Sequence, residues 1–347
     1  MSQLDWPLTP ERSALADALI AMCEGTDDQL MSALEEAGIG WIGIAEAEGG
    51  SGGDDADLAV ALRLLAGRAR NTDLAESGFI SGWALQKCGH VELQSKLAPA
   101  FDIGSELAAA RADGAWQITG RALNVPIAEN THLAVLPVLI DQLWHIALVA
   151  MSQAEIIAGS NLAGESRAEL LLDNAEVALL LPLPSEVGWI DLHARLALAR
   201  AVQISGALLA LRDLTVNYAR TREQFGKPIA EQQAVAHMLA AIAEQTLLAE
   251  AAVATAINSP TVWNCAIAKS VASRAARRAS ADAHQVHGAM GMSQEYPLGS
   301  LTTRLWSWIE EGGRPEEWET WLGTQFMRQD QPQLWEAIVN AGEGQDR

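Results

Sequence analysis

An arginine, two amides and an aromatic residue crowd one short stretch, Tyr218-Ala219-Arg220-Thr221-Arg222-Glu223-Gln224-Phe225-Gly226-Lys227-Pro228-Ile229, followed by Gln232 and Gln233. The order joins a helix end, a turn and a basic-aromatic pair. Arg222 is a forked, permanently charged donor suited to a pyrophosphate, and Phe225 offers a face to a planar ring. A plainer reading makes Arg222 a helix C-terminal cation favoured by the macrodipole, with Phe225 in the core. A second segment, Gln285-Val286-His287-Gly288-Ala289-Met290-Gly291-Met292 with Glu295 and Tyr296, brings another amide and a glycine. Glycine serves where backbone approaches a ligand closely. His284 and His287 can share a helix face, but no third ligand follows at metal-like spacing, so a zinc site is not expected. Gly49-Gly50-Ser51-Gly52-Gly53 lacks a following Gly-Lys-Ser/Thr and a βαβ context, so it reads as a turn between helices.

These residues need elements to hold them. The first hundred residues read as helices: Thr9-Pro10 is a cap before a first-turn proline, and Thr26-Asp27-Asp28-Gln29 is a capping box. Gly38 stops that second helix, Trp41 to Ala45 reads as a short extended piece, and an apolar helix runs from Asp57 to Leu65. From Leu107 to Leu183 the pattern changes to short extended runs around Trp116, His132, Trp144, Ala168 and Val177, punctuated by Asp113-Gly114 and Asp173-Asn174. Pro182 and Pro184 mark a linker. Leu192 to Arg220 is then apolar on nearly every face, with Ala201, Ser205, Gly206 and Ala207 allowing close helix contact. Gln232 to Ile257 is amphipathic, and Ser259-Pro260 caps a further helix reaching about His284. The chain is thus mainly α with a middle β domain, divided at 1–104, 105–185 and 186–347.

Composition narrows the function classes. At 347 residues and 49% hydrophobic, the chain is expected to be globular with large or associated cores. Acidic residues number 44 against 23 basic, which argues against a polyanionic partner such as nucleic acid or an anionic membrane surface. Cys23, Cys88 and Cys265 stand far apart without a CxxC pattern, so neither a disulfide framework nor a zinc site is implied, and a reducing cytoplasm fits. Met1 to Pro7 carries no secretory pattern, and apolar runs such as Leu133 to Leu143 are too interrupted to span a bilayer. Trp306, Trp308, Trp318, Trp321 and Trp335 cluster near the C-terminus, which reads as packing or an interface.

The two motifs together resemble the signature of the acyl-CoA dehydrogenases. The resemblance covers almost the whole chain and is weaker in the middle. It implies a three-part order: an α-helical N-terminal domain, a small β-barrel-like middle domain and a C-terminal four-helix bundle. In that family the Arg-x-x-Phe-Gly unit reaches across a subunit interface to the adenosine-diphosphate half of a flavin. The resemblance therefore implies FAD as cofactor, with Arg222, Gln224, Phe225 and Gln233 as contacts. It implies Gln285 and Gly288 as further contacts from the partner side of the same interface. Family members usually show two glycines there, and this chain has Gly288-Ala289. Asp213 matches an acidic residue near the coenzyme A chain in relatives, and reads equally as an exposed helix carboxylate.

Acyl-CoA dehydrogenation removes an α proton and a β hydride from a thioester, so a flavin must accept hydride and a carboxylate the proton. Relatives commonly carry that carboxylate in a Glu-Gly-Thr turn beyond the motif glutamine. An ungapped count from Gln285 lands on Gly312, so a one-residue shift lets Glu311 serve; the alternative is a solvated acidic turn. Other relatives place the base on the helix before the arginine motif, where this chain has Leu196, which cannot take a proton. Relatives also use a Thr-Glu-x-x-x-Gly-Ser-Asp loop and a Trp-Ile-Thr or Trp-Ile-Ser segment to bind the flavin ring. Here Leu107 to Gly114 runs directly into a strand, and Asn124-Val125-Pro126-Ile127 offers fewer donors.

Two functions follow from the resemblance. One is FAD-dependent α,β-dehydrogenation of an acyl-CoA thioester by a homodimer or homotetramer, with Glu311 as base and electron-transfer flavoprotein as acceptor. The other is a half-site subunit that lends flavin contacts to a paralogue in a heterotetramer, as in relatives acting on bulky steroid side chains. Acyl-chain selectivity depends on pocket shape, which no short motif encodes.

Overall fold

A computed structural model describes residues 9–91, 96–127 and 131–328; residues 1–8 and Trp335 lie outside the described residues. Thr9 caps α1 (Pro10–Met22), its side chain accepting from the Arg12 amide at 3.3 Å. Thr26 and Gln29 form the reciprocal box at the start of α2 (Asp27–Glu36), with bonds of 2.9 and 3.4 Å. Gly38 follows in the left-handed region. The piece read as extended is instead wound into two 3₁₀ turns, Ile39–Trp41 and Glu46–Glu48. Gly43, at φ 89°, turns the chain out of the β region between them, while Ile39 and Ile44 stay buried. Asp54 then caps α3 (Asp55–Gly67) through the amides of Ala56 and Asp57. A π-helix, Ala75–Gly82, leads into α4 (Trp83–Lys87).

Eight strands follow: β1 (Lys96–Pro99), β2 (Glu106–Ala112), β3 (Ala115–Val125), β4 (Thr131–Ile140), β5 (Leu143–Ala150), β6 (Ala154–Ile157), β7 (Ala168–Glu176) and β8 (Leu179–Pro182). They form two four-stranded sheets, β1-β4-β5-β8 and β2-β3-β7-β6, whose inward residues, including Ile118, Leu136, Val149 and Leu170, share one core. Asp113 and Gly114, both at positive φ, make the two-residue turn between β2 and β3, with Ala112 opposite Ala115. Asp173-Asn174 is not a turn between strands. It lies inside β7, where Asn174 takes φ 50° beside Thr119 at a register shift, so the local chemistry of a turn residue has made a bulge. β2 is not among the expected extended runs, since its alanine-rich Glu106–Ala112 favours helix in isolation; pairing with β3 imposes the strand.

After Pro184 come α5 (Trp189–Thr221), α6 (Gln233–Asn258), α7 (Val262–His287), α8 (Leu298–Glu310) and α9 (Pro315–Arg328). The cap of α7 is Thr261, accepting from the Asn264 amide at 3.2 Å, and not the expected Ser259-Pro260. Ser259 instead offers its carbonyl to the Asn264 side chain. By length and composition α5 and α6 could cross a membrane; 83% of the apolar window of α5 is buried in the protein, against 33% for α6. The burial of α5 is that of a core helix.

The chain packs as two units, one holding the described parts of 1–23, 59–70 and 200–347, the other those of 24–58 and 71–199. In the first, Gly206 of α5 lies on the backbone of α3, where an added Cβ would stand 2.1 Å from the Arg63 carbonyl oxygen. The Arg63 side chain is buried and ion-paired with Glu250 of α6. Burial draws its pKa down to about 10. In the second, Arg195 of α5 grips both oxygens of Asp55 at 2.6 and 2.7 Å, donates to the Phe79 carbonyl at 2.7 Å and covers the Phe79 ring. Gly206→Ala should lower stability by about 1–3 kcal/mol, read as a lower urea midpoint, because rigid backbone cannot yield. Gly299→Ala, with nothing near its Cβ, should not lower it. An unchanged midpoint for Gly206→Ala would contradict the close helix contact.

Candidate functional site

The turn after α5 is built by its own backbone. The Arg222 amide donates to the Tyr218 carbonyl and the Ile229 amide to that of Arg222, both at 2.8 Å. Between them β9 (Glu223–Gln224) and β10 (Lys227–Pro228) pair in opposite directions, with Gln224 across from Lys227. Phe225 and Gly226 form the tip at φ 57° and 79°. Glycine is expected in such a tip, but a phenylalanine there is strained. Phe225 is 92% exposed, so it is not the core residue of the plainer reading. Arg222 is exposed too. In a chain with nearly two acidic residues for each basic one, its guanidinium meets no carboxylate among the described residues. A bare guanidinium beside an outward ring fits a phosphate carrying an aromatic group.

The second motif stands against the first. Ala219, Ile229 and Val235 pack with Val286 in one small apolar cluster, joined by Tyr218, Met238 and Leu239. The rings of Tyr218 and His287 stack at 4.4 Å, and the Tyr218 hydroxyl donates to the His287 carbonyl. Around this cluster Arg222, Gln224, Phe225, Gln233, Gln285 and Gly288 are all exposed. The ends of α5 and α7 thus meet within one chain, so both motifs lie on one face of the same protomer. Gly288, at φ 56° with open space where a Cβ would point, has a conformation that other residues avoid. Ala289, where relatives carry glycine, has no positive φ to sustain, so the methyl group is tolerated.

His287 is fixed on both ring nitrogens. Nδ1 lies 2.8 Å from the Ala283 carbonyl, which can only accept, so Nδ1 carries the hydrogen and Nε2, 3.2 Å away, accepts from the Tyr296 hydroxyl. Burial holds the imidazole below the ordinary histidine value, and pushes the Tyr296 phenol up. His284 faces Thr302 at 3.1 Å and stacks on Trp306; it too is lowered by burial.

Glu311 and Asp213 lie apart from that cluster. Glu311 follows α8 in a turn where Gly312 and Gly313 take φ 67° and 85°. It is not a solvated acid: it is 9% exposed, and Oε2 lies 2.8 Å from Nε of Arg200, which is buried on α5. Lys269 of α7 donates to the carbonyls of Trp308 and Ile309 at 2.6 and 2.8 Å, closing the end of α8 before Glu311. Trp318, one of the clustered tryptophans, donates to the Gly312 carbonyl at 2.8 Å. Arg200 and Lys269 were not singled out in the sequence, although a charge on an otherwise apolar helix must find a partner. Asp213 sits about two turns before the end of α5, held by neighbouring Arg212 at 2.9 Å. The two-residue turn between β2 and β3 leaves no ring-binding loop there, and Asn124 spends its amide on Asp102.

Known proteins resemble this chain in sequence and fold. Residues 187–310 match the acyl-CoA dehydrogenase C-terminal domain. The acyl-CoA dehydrogenase IpdE2 of Mycobacterium tuberculosis is 28% identical over 292 residues, covering 82% of each chain. In fold, the chain resembles the ChsE4-ChsE5 complex of Mycobacterium tuberculosis with a TM-score of 0.85 at 22% identity, over 94% of this chain and 100% of that one. Butyryl-CoA dehydrogenase of Megasphaera elsdenii gives 0.84 at 19% identity, with the same coverage. On the motifs, the fold and these likenesses, residues 187–310 belong to the acyl-CoA dehydrogenase C-terminal domain family, and the chain as a whole is similar to acyl-CoA dehydrogenases.

Proposed function

We propose that the chain takes part in FAD-dependent α,β-dehydrogenation of an acyl-CoA thioester, as a subunit that grips the adenosine-diphosphate half of the flavin. The observation that carries this reading is the Arg222 guanidinium, which has no carboxylate partner among the described residues, beside the outward Phe225, on the face that also bears Gln285 and Gly288. Arg222 would hold the pyrophosphate, Phe225 would cover the adenosine, and the Gln224, Gln233 and Gln285 amides with the Gly288 backbone would complete the cradle. FAD, when bound, supplies the hydride acceptor. In this reading Asp213 lies toward the coenzyme A chain, and electron-transfer flavoprotein takes the electrons. Cys23, Cys88 and Cys265 form no disulfide with one another, which suits a cytoplasmic protein.

Two observations favour the half-site version over a complete homo-oligomeric enzyme. Glu311, the candidate base, is engaged by a buried guanidinium that occupies its carboxylate. The β2–β3 hairpin offers no loop for the flavin ring. The ring and the proton acceptor would then belong to a paralogue; the solved ChsE4-ChsE5 structure is itself a complex. Leu247 and Leu248, each about half exposed on α6, give an apolar face for assembly.

Purification alone and with a co-expressed paralogue, followed by flavin absorbance, tests the first claim. Flavin should be retained by the mixed assembly, and Arg222→Met should weaken its binding about 10- to 100-fold, the loss of a charge-assisted bond pair. Retention by Arg222→Met equal to the parent would contradict the phosphate role. In the mixed assembly, bleaching by an acyl-CoA thioester should survive Glu311→Gln provided flavin stays bound. Loss of bleaching with flavin still bound would make Glu311 the base and restore the complete-enzyme reading.

A further inference from the structure

The flavin reading leaves His287, Tyr218 and Tyr296 without a role, although these three side chains occupy the space between the two motifs. Tyr218 stands one turn before Arg222 at the end of α5, and His287 ends α7 directly before Gly288. The imidazole stacks on Tyr218 at 4.4 Å with 26° between planes, and Tyr296 meets both rings, at 5.1 Å from His287 and 6.0 Å from Tyr218. Each ring nitrogen has a different partner, the Ala283 carbonyl within α7 and the Tyr296 hydroxyl beyond it. His287 is 3% exposed, so it does not itself reach a ligand at the surface. Its titratable neighbours are His284 on its own helix, Tyr218 on α5 and Tyr296 on the segment between Met292 and Leu298, where α8 begins.

We propose that His287 is a positioning residue that locks the Arg222–Phe225 turn and the Gln285–Gly288 segment into one rigid flavin cradle, acting through its stack on Tyr218 and its bond from Tyr296. The inference rests on the reading that these segments bind FAD, and goes beyond it by naming what makes them act as a unit. The Tyr218 ring fixes the last turn of α5, from which the hairpin carrying Arg222 and Phe225 springs. The Nδ1 bond fixes the imidazole plane against α7, so Gln285 and Gly288 cannot shift without moving that plane. The Tyr296 hydroxyl closes the third side. A cradle held in this way meets the pyrophosphate and adenosine without ordering two separate segments on binding, which is the source of affinity in a preorganised site.

The test uses the assembled flavoprotein with its paralogue, FAD as probe, and five variants, Gln285→Ala among them. Tyr218→Leu removes the stack, Tyr296→Phe removes only the hydroxyl, Tyr218→Phe keeps the stack, and Arg222→Met reports on the flavin reading itself. FAD affinity should fall at least fivefold in Tyr218→Leu and in Tyr296→Phe, with Tyr218→Phe returning close to the parent. In the parent, the losses from Arg222→Met and Gln285→Ala should be coupled, and in the Tyr218→Leu background they should become multiplicative. A residue that only maintained the fold would shift melting without changing that coupling. Affinities within twofold of the parent in both Tyr218→Leu and Tyr296→Phe would overturn the inference while Arg222→Met still lost flavin. No loss in Arg222→Met would overturn the flavin reading and the inference together. Should Tyr218→Leu fail to fold, Tyr296→Phe decides alone, since it removes one oxygen and no packing.

Discussion

The contact between the ends of α5 and α7, made by the Tyr218 and His287 rings above the Ala219, Ile229, Val235 and Val286 cluster, governs what this surface can do. Two segments more than sixty positions apart in sequence become neighbours through it. Aromatic stacking supplies direction as well as area, and the hydrogen bonds on both imidazole nitrogens fix the ring's orientation. A surface that keeps a phenylalanine outward in a left-handed conformation, and a guanidinium without an acid, carries local cost with no return among the described residues. The return is expected from a ligand that is anionic at one end and aromatic at the other.

Charge is placed quite differently in the interior. Arg195 and Arg200 lie on the same core helix, one turn and a half apart, each ion-paired with an acid from another segment of its own unit: Asp55 for the first, Glu311 for the second. Lys269 ends α8 by donating to its last carbonyls. Such groups are tolerated in a core because partners answer them, and removing one partner leaves a buried charge exposed to an apolar surround. That logic bears on Glu311. A carboxylate committed to a buried guanidinium is poorly placed to collect a substrate proton, and the absence of a loop between β2 and β3 points the same way.

Much of this was legible in the sequence. Caps at Thr9 and Thr26, the strands around Trp116, His132, Trp144 and Ala168, and the long core helix all follow from local spacing, and the paired motifs gave the family. What escaped was set by tertiary pairing. The alanine-rich β2 became a strand because β3 lies beside it, Asn174 became a bulge inside β7, and Gly43 wound an apolar piece into turns. The adjacency of the two motifs and the capture of Glu311 by Arg200 escaped for the same reason, because sequence spacing does not report which helix ends meet. Histidine and arginine on apolar helices were the available signals, since each requires a partner that the neighbouring sequence does not provide.

The central claim is that one chain presents both motifs to one flavin. A structure of the FAD-loaded assembly tests it directly. The pyrophosphate and adenosine of a given flavin should touch Arg222, Phe225 and Gln285 of the same protomer. A flavin contacted by Arg222 of one protomer and Gln285 of another would contradict it.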